Sequence, residues 1–123
     1  MRDSNHYAVL KEINEHVTIK AVDIVLAESD GVIELIEFYQ DKEYSPVRYF
    51  PRADVNMSVF TKVEGFHTMC PIKGSASYYN LKLDGEEIAN AAWSYEEPLQ
   101  ESEKIKECIS FDLSKFSPSF TSN

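Results

Sequence analysis

Ala76-Ser77-Tyr78-Tyr79-Asn80-Leu81-Lys82-Leu83-Asp84-Gly85-Glu86-Glu87-Ile88-Ala89-Asn90-Ala91-Ala92 is the stretch on which the fold class turns. Asp84-Gly85 between two strand-like runs is a strong short-range signal for a β-hairpin. A two-residue loop sets Leu81 opposite Ile88 and Lys82 opposite Glu87, an apolar pair and an ion pair. Continued along the same register, Ser77 faces Ala92 and Tyr78 faces Ala91. Lys73 on one arm and Trp93-Ser94-Tyr95 on the other then emerge together at the open end of the hairpin.

Upstream, Val17-Thr18-Ile19-Lys20, Asp23-Ile24-Val25-Leu26-Ala27 and Val32-Ile33-Glu34-Leu35-Ile36-Glu37-Phe38 read as strands, with Ser29-Asp30-Gly31 supplying turn chemistry. Val47-Arg48-Tyr49-Phe50 is a short strand stopped by Pro51, which cannot donate a ladder hydrogen bond. Pro51-Arg52-Ala53-Asp54 suits one helical turn. Leu10, Ile13 and Val17 recur at helical spacing, which allows a short helix near the start. Pro98 opens the one convincing helix, expected over residues 98–107, with Glu97 and Glu101 at its positive end and Lys104 and Lys106 at its negative end. Ile105, Cys108 and Ile109 form its expected buried stripe. Ile109-Ser110-Phe111 reads as a closing strand. These signals divide the chain into an N-terminal extension (1–15), a β-rich domain (16–112) and a flexible serine-rich tail (113–123).

Composition narrows the function classes. The 123 residues carry 21 acidic and 12 basic side chains, a formal net charge of −9, which argues against a nucleic-acid partner and against docking on anionic lipid. With 43% hydrophobic and 27% charged residues, the chain has the make-up of an ordinary globular domain. No apolar run approaches the ~18 residues of a membrane span, and the polar start lacks the features of a signal peptide. The two cysteines, Cys70 and Cys108, form no C-x-x-C pair, so a cytoplasmic setting with free thiols is expected and no metal or cofactor is implied. Self-association stays open.

Three segments carry a resemblance. Tyr49-Phe50-Pro51-Arg52-Ala53-Asp54-Val55, Thr68-Met69-Cys70-Pro71-Ile72-Lys73-Gly74-Ser75-Ala76-Ser77-Tyr78-Tyr79 and Ala92-Trp93-Ser94-Tyr95-Glu96-Glu97-Pro98 together resemble, in order and spacing, the family catalogued as domain of unknown function 427. Ile72 stands where the family usually has tyrosine. The resemblance covers residues 17–111. It implies a mainly β, compact two-sheet domain similar to the Mss4-like tent, with one short helix near the C-terminus. The zinc-binding cysteine pairs of that wider group are absent here. A nucleotidyltransferase label also attaches to the family, but Gly74-Ser75 precedes a strand rather than a helix, and Asp84-Gly85-Glu86 is accounted for by the hairpin turn.

Two chemistries deserve weighing. Cys70, three residues from Lys73 and from His67, has the makings of an activated thiolate with a base. The plainer reading is a rigid turn set by Pro71 and Gly74, with Cys70 packed inside and Lys73 paired with a carboxylate. A zinc site from His67, Cys70 and Cys108 is weaker than either. Glu96 and Glu97 read as helix-start acids. Lys73 and Arg52 stand among aromatic residues, which is how pockets for small anionic or planar ligands are built. The leading expectation is a ligand site made of Lys73, Trp93, Tyr95, Arg52, Tyr79 and Cys70. The alternatives are an enzyme acting on a similar substrate through Cys70 or Lys73, and a non-catalytic protein-interaction module.

Overall fold

The computed structural model of the chain describes residues 5–116 and the backbone of residues 118–122. Through them run β1 (His6–Glu12), β2 (Val17–Ala21), β3 (Ile24–Ser29), β4 (Ile33–Tyr39), β5 (Lys42–Glu43), β6 (Val47–Tyr49), β7 (Phe60–Cys70), β8 (Gly74–Leu83), β9 (Glu86–Ser94), β10 (Ser110–Phe111) and β11 (Pro118–Ser122). Short 3-10 turns at Arg52–Asp54, Met57–Val59 and Gln100–Ile105 are the helical elements. The chain is mainly β, and every strand pairing is antiparallel.

The hairpin closes as its turn chemistry requires. Asp84 (φ 48) and Gly85 (φ 80) both take positive φ, and Leu81 faces Ile88 while Lys82 faces Glu87. Beyond that the register differs from expectation: Tyr79 faces Ala92, Tyr78 faces Trp93 and Ser77 faces Ser94. Three residues of β9, Ala89-Asn90-Ala91, stand against the single residue Asn80. Asn90 sits at φ 53, and its backbone N–H donates to the Asn80 side-chain oxygen at 2.9 Å, which satisfies the donor that the bulge removes from the ladder. This advances β9 by two residues and draws Trp93 and Ser94 into the ladder.

Both ends of the chain differ from expectation. Residues 6–12 are a strand and not a helix. Paired along β4, they alternate half-buried His6, Ala8 and Leu10 with exposed Tyr7 and Val9. Part of the expected flexible tail, residues 118–122, forms β11 along β2. The helix expected over 98–107 reduces to the 3-10 stretch Gln100–Ile105, interrupted by non-helical Ser102, whose hydroxyl donates to the Ile72 carbonyl at 2.9 Å. Ile105, Cys108 and Ile109 are nevertheless buried.

Hydrogen bonding groups the strands into three sheets where the resemblance implied two: β1-β4-β5 with β6 also on β4, β10-β9-β8-β7, and β11-β2-β3. The sheet containing β8 and β9 has a core on each face, because side chains alternate along a strand. Tyr79, Leu81 and Leu83 pack with Val17, Ile19 and Leu26 of β2 and β3. Ala76 and Tyr78 pack with Ile33, Leu35 and Tyr49 of β4 and β6. Among the described residues, no helix is long and apolar enough to cross a membrane.

Candidate functional site

The alternation that builds two cores also divides the expected ligand site. Along 93–96, Trp93 and Tyr95 turn toward the β4–β6 side, whereas Ser94 and Glu96 turn toward Arg52. Lys73 and Arg52 therefore do not share one mouth. The six expected residues fall into a polar nest (Arg52, Tyr79), an inward-facing cluster (Lys73, Tyr95, Cys70) and the wall of a cleft (Trp93).

The nest is centred on Glu96. Its Oε1 accepts from Lys62 Nζ at 2.8 Å and Ser77 Oγ at 3.2 Å, and its Oε2 accepts from Tyr79 Oη at 2.6 Å and an Arg52 terminal nitrogen at 3.2 Å. Pro51 caps the 3-10 turn on which Arg52 stands, and Asp54 of the same turn takes a 2.6 Å hydrogen bond from buried Ser29. Thus anchored, Arg52 also donates to the Tyr79 hydroxyl (3.0 Å), Ser94 Oγ (3.2 Å) and the Glu107 carbonyl (3.1 Å). Burial pushes the Glu96 pKa up, but the hydrogen bonds from Lys62 and Tyr79 and the charges of Lys62 and Arg52 outweigh it and bring the carboxyl down to about 2.

Glu96 is thus not a helix-start acid. No local pattern announces its role, since its partners stand 17 to 44 residues away. A carboxyl held below its ordinary value stabilises the fold above that value and loses the contribution as pH falls through the folded pKa. Glu96→Gln is accordingly expected to flatten the acid limb of the stability curve between pH 4.5 and about 2. Urea midpoints at stepped pH check this, and an unchanged acid slope overturns it.

Lys73 faces inward. Its side chain is 12% exposed, its Nζ stands 3.7 Å from Glu37 Oε1 and 5.3 Å from the centre of the Tyr95 ring. The other Glu37 oxygen is 2.7 Å from His6 Nε2. Half-buried Cys70 packs in the same cluster with Tyr49, Tyr78 and Trp93. Burial raises the Tyr49 and Tyr95 phenols well above their ordinary value, so both stay protonated. The turn preceding β8 is rigid: Ile72 is fully buried, Gly74 has φ +107, and the Leu99 N–H donates to the Lys73 carbonyl at 3.0 Å. A side chain at Gly74 would be strained at that φ and would meet the Leu99 backbone at 3.5 Å. The ion pair and the tight turn match the plainer reading of this segment. His67 is exposed on β7 opposite Ser77. Among the described residues, no group of three or more His, Cys, Asp or Glu is placed to hold a metal ion.

Trp93 belongs to both the cluster and the cleft. Its ring N–H donates to the Tyr49 hydroxyl at 3.3 Å, and its side chain lines a cleft of ≈ 290 Å³ where all three sheets meet. Phe50, Phe111 and Val17 make the cleft chiefly apolar, and Arg48, Ser110 and Asp112 give it polar groups, the Asp112 carboxylate accepting a hydrogen bond from the Ser114 hydroxyl at 2.6 Å. Arg48 is 39% exposed, and its Nε stands 3.8 Å from the Glu34 carboxylate, a loose pairing. Sequence reasoning passed over Arg48. It alternates with Val47 and Tyr49 in a plain strand pattern, and the cleft exists only once β2 and β10 close beside it.

No curated protein matches the chain. A family model described as Domain of unknown function (DUF427) matches residues 9–120.

Proposed function

The chain belongs to the family described as Domain of unknown function (DUF427), and from that premise we propose that it is a small-molecule-binding domain whose ligand is planar and singly negative. The cleft lined by Trp93 carries this reading. At ≈ 290 Å³ it stands near the lower end of the ~300–1,000 Å³ usual for ligand pockets, so it suits one or two fused rings. Half-buried Trp93 offers flat apolar surface for a ring, and the buried Phe50 ring backs the cleft from the core. Arg48 offers a planar, permanently charged group that matches a carboxylate or sulfonate. Of the six residues expected from the sequence, Trp93 is the one that contacts ligand in this reading, and Arg48 takes the part foreseen for Lys73 and Arg52.

Trp93 is the sole tryptophan in the chain, so tryptophan emission reports on the surroundings of this one ring, the cleft among them. 4-Nitrobenzoate is expected to quench it saturably, and Arg48→Met is expected to weaken that binding about five- to tenfold. The neutral 4-nitrobenzamide should bind both proteins within about twofold. Purely collisional quenching, linear in concentration as with free indole, sinks the proposal. So does an Arg48→Met variant that treats acid and amide alike.

A further inference from the structure

The nest around Glu96 shares no residue with the lining of the cleft. Four donors from three elements converge on one carboxylate: Arg52 from a 3-10 turn, Lys62 from β7, and Ser77 and Tyr79 from β8. Two of the donors are cations, whereas the occupant carries a single negative charge. Glu64, two residues along β7, adds a weaker negative field at Lys62 but holds no place in the nest. The chain as a whole is strongly acidic, at −9, so two cations drawn to one spot are a local inversion of its charge. The nest also reaches solvent, with the Arg52, Lys62 and Glu96 side chains 29%, 44% and 27% exposed.

We propose that Arg52, Lys62, Ser77 and Tyr79 form an oxyanion-binding site in which Glu96 is the resident occupant and a phosphate dianion is the external ligand the site matches. A phosphomonoester or inorganic phosphate carries about −1.5 to −2 charge at neutral pH, which balances the two cations where a carboxylate balances one. Its three oxygens can serve all four donors with charge-assisted hydrogen bonds. Glu96 rides between Tyr95 and Leu99, which are tethered by the Glu107 N–H on the Tyr95 carbonyl and the Leu99 N–H on the Lys73 carbonyl; Glu96 itself lies outside every strand, so swinging its side chain out of the nest leaves the sheet paired. A purely structural pin has the same contacts but offers nothing to an added anion, and that difference is measurable.

The test titrates inorganic phosphate against wild type and Glu96→Ala at constant ionic strength, reading the amide signals of Ser77 and Ser94 by NMR. Glu96→Ala is expected to bind phosphate at least tenfold more tightly than wild type, and adding Lys62→Ala should erase that gain. If Glu96→Ala fails to fold, phosphate should restore folding where chloride does not. The shape-conserving Glu96→Gln should likewise gain thermal stability from phosphate above that of wild type. Phenyl phosphate run in parallel separates the sources: tighter binding than inorganic phosphate assigns the ester, weaker binding the free ion. Indifference of both the Ala and Gln variants to phosphate, or a gain that survives Lys62→Ala, overturns the proposal. Because Arg48 and Trp93 take no part, the outcome is independent of the cleft.

Discussion

Phe50→Ala is expected to lower the free energy of unfolding by about 3–5 kcal/mol, the range for deleting a buried aromatic ring. Phe50 is 1% exposed, packs edge-to-face on Phe111 at 5.5 Å between centroids, and belongs to the larger core cluster. Its backbone exchanges two 2.8 Å hydrogen bonds with Ile109, which ties the end of β6 to the start of β10. The ring also forms part of the cleft wall, so its removal extends an existing space of ≈ 290 Å³ that the surrounding sheets cannot easily close. That places the cost in the upper part of the range. Urea unfolding checks it, with the midpoint falling and the slope unchanged. Phe50→Leu, which keeps most of the volume, should cost less than about 1.5 kcal/mol. A loss under 1 kcal/mol for the alanine variant refutes the role given to this ring.

Arg52→Met is expected to cost about 2–4 kcal/mol, although it removes no apolar contact. The guanidinium donates to four acceptors: Tyr79 of β8, Ser94 of β9, Glu96 just beyond β9, and Glu107 after the last 3-10 turn. One of these, Ser94 Oγ, belongs to a residue with no exposed surface and loses its donor. Another is the carbonyl of Glu107, which sits at φ 61 and is held there also by its own N–H donating to the Tyr95 carbonyl at 3.1 Å. Solvent at the 29% exposed side chain screens part of the charge effect, which keeps the figure below that of a fully buried pair. Arg52→Lys is the informative companion. An ammonium is a compact charge and cannot span acceptors arranged for a planar fork, so it should recover less than half of the loss. Full recovery by lysine shows that charge alone matters and that the cross-linking geometry does not. At this chain length each kcal/mol corresponds to roughly 3–6 °C in melting temperature.

Both residues stand in the Tyr49–Val55 segment that carries part of the family resemblance, and the structure supplies a physical reason for four of its seven positions. Phe50 fills the core, Pro51 caps a turn, Arg52 cross-links and Asp54 accepts from Ser29. The Cys70–Gly74 segment likewise holds a tight turn with an inward lysine. Residue types therefore announced that these segments matter. They did not announce that Arg52 and Lys73 serve opposite faces of one sheet.

The strands from β2 to β4, β6, the hairpin turn and its first two cross-strand pairs were legible from local order alone. Alternation, β-branching and the Asp84-Gly85 turn act over a few residues, and no distant partner is needed to read them. The two-residue slip at Asn80 and Asn90 was hidden, because the side-chain hydrogen bond that stabilises it forms only after the strands have met. The strand at residues 6–12 was misread for a related reason: its ladder partner, β4, lies more than twenty residues downstream. Glu96 reads locally as a helix-start acid and Arg48 as a plain strand residue, because a polar nest and a cleft are relations between elements remote in the chain. Short-range physics names the pieces; which charges share a pocket depends on which sheets pack together, a long-range outcome of burial that no window of neighbouring residues contains.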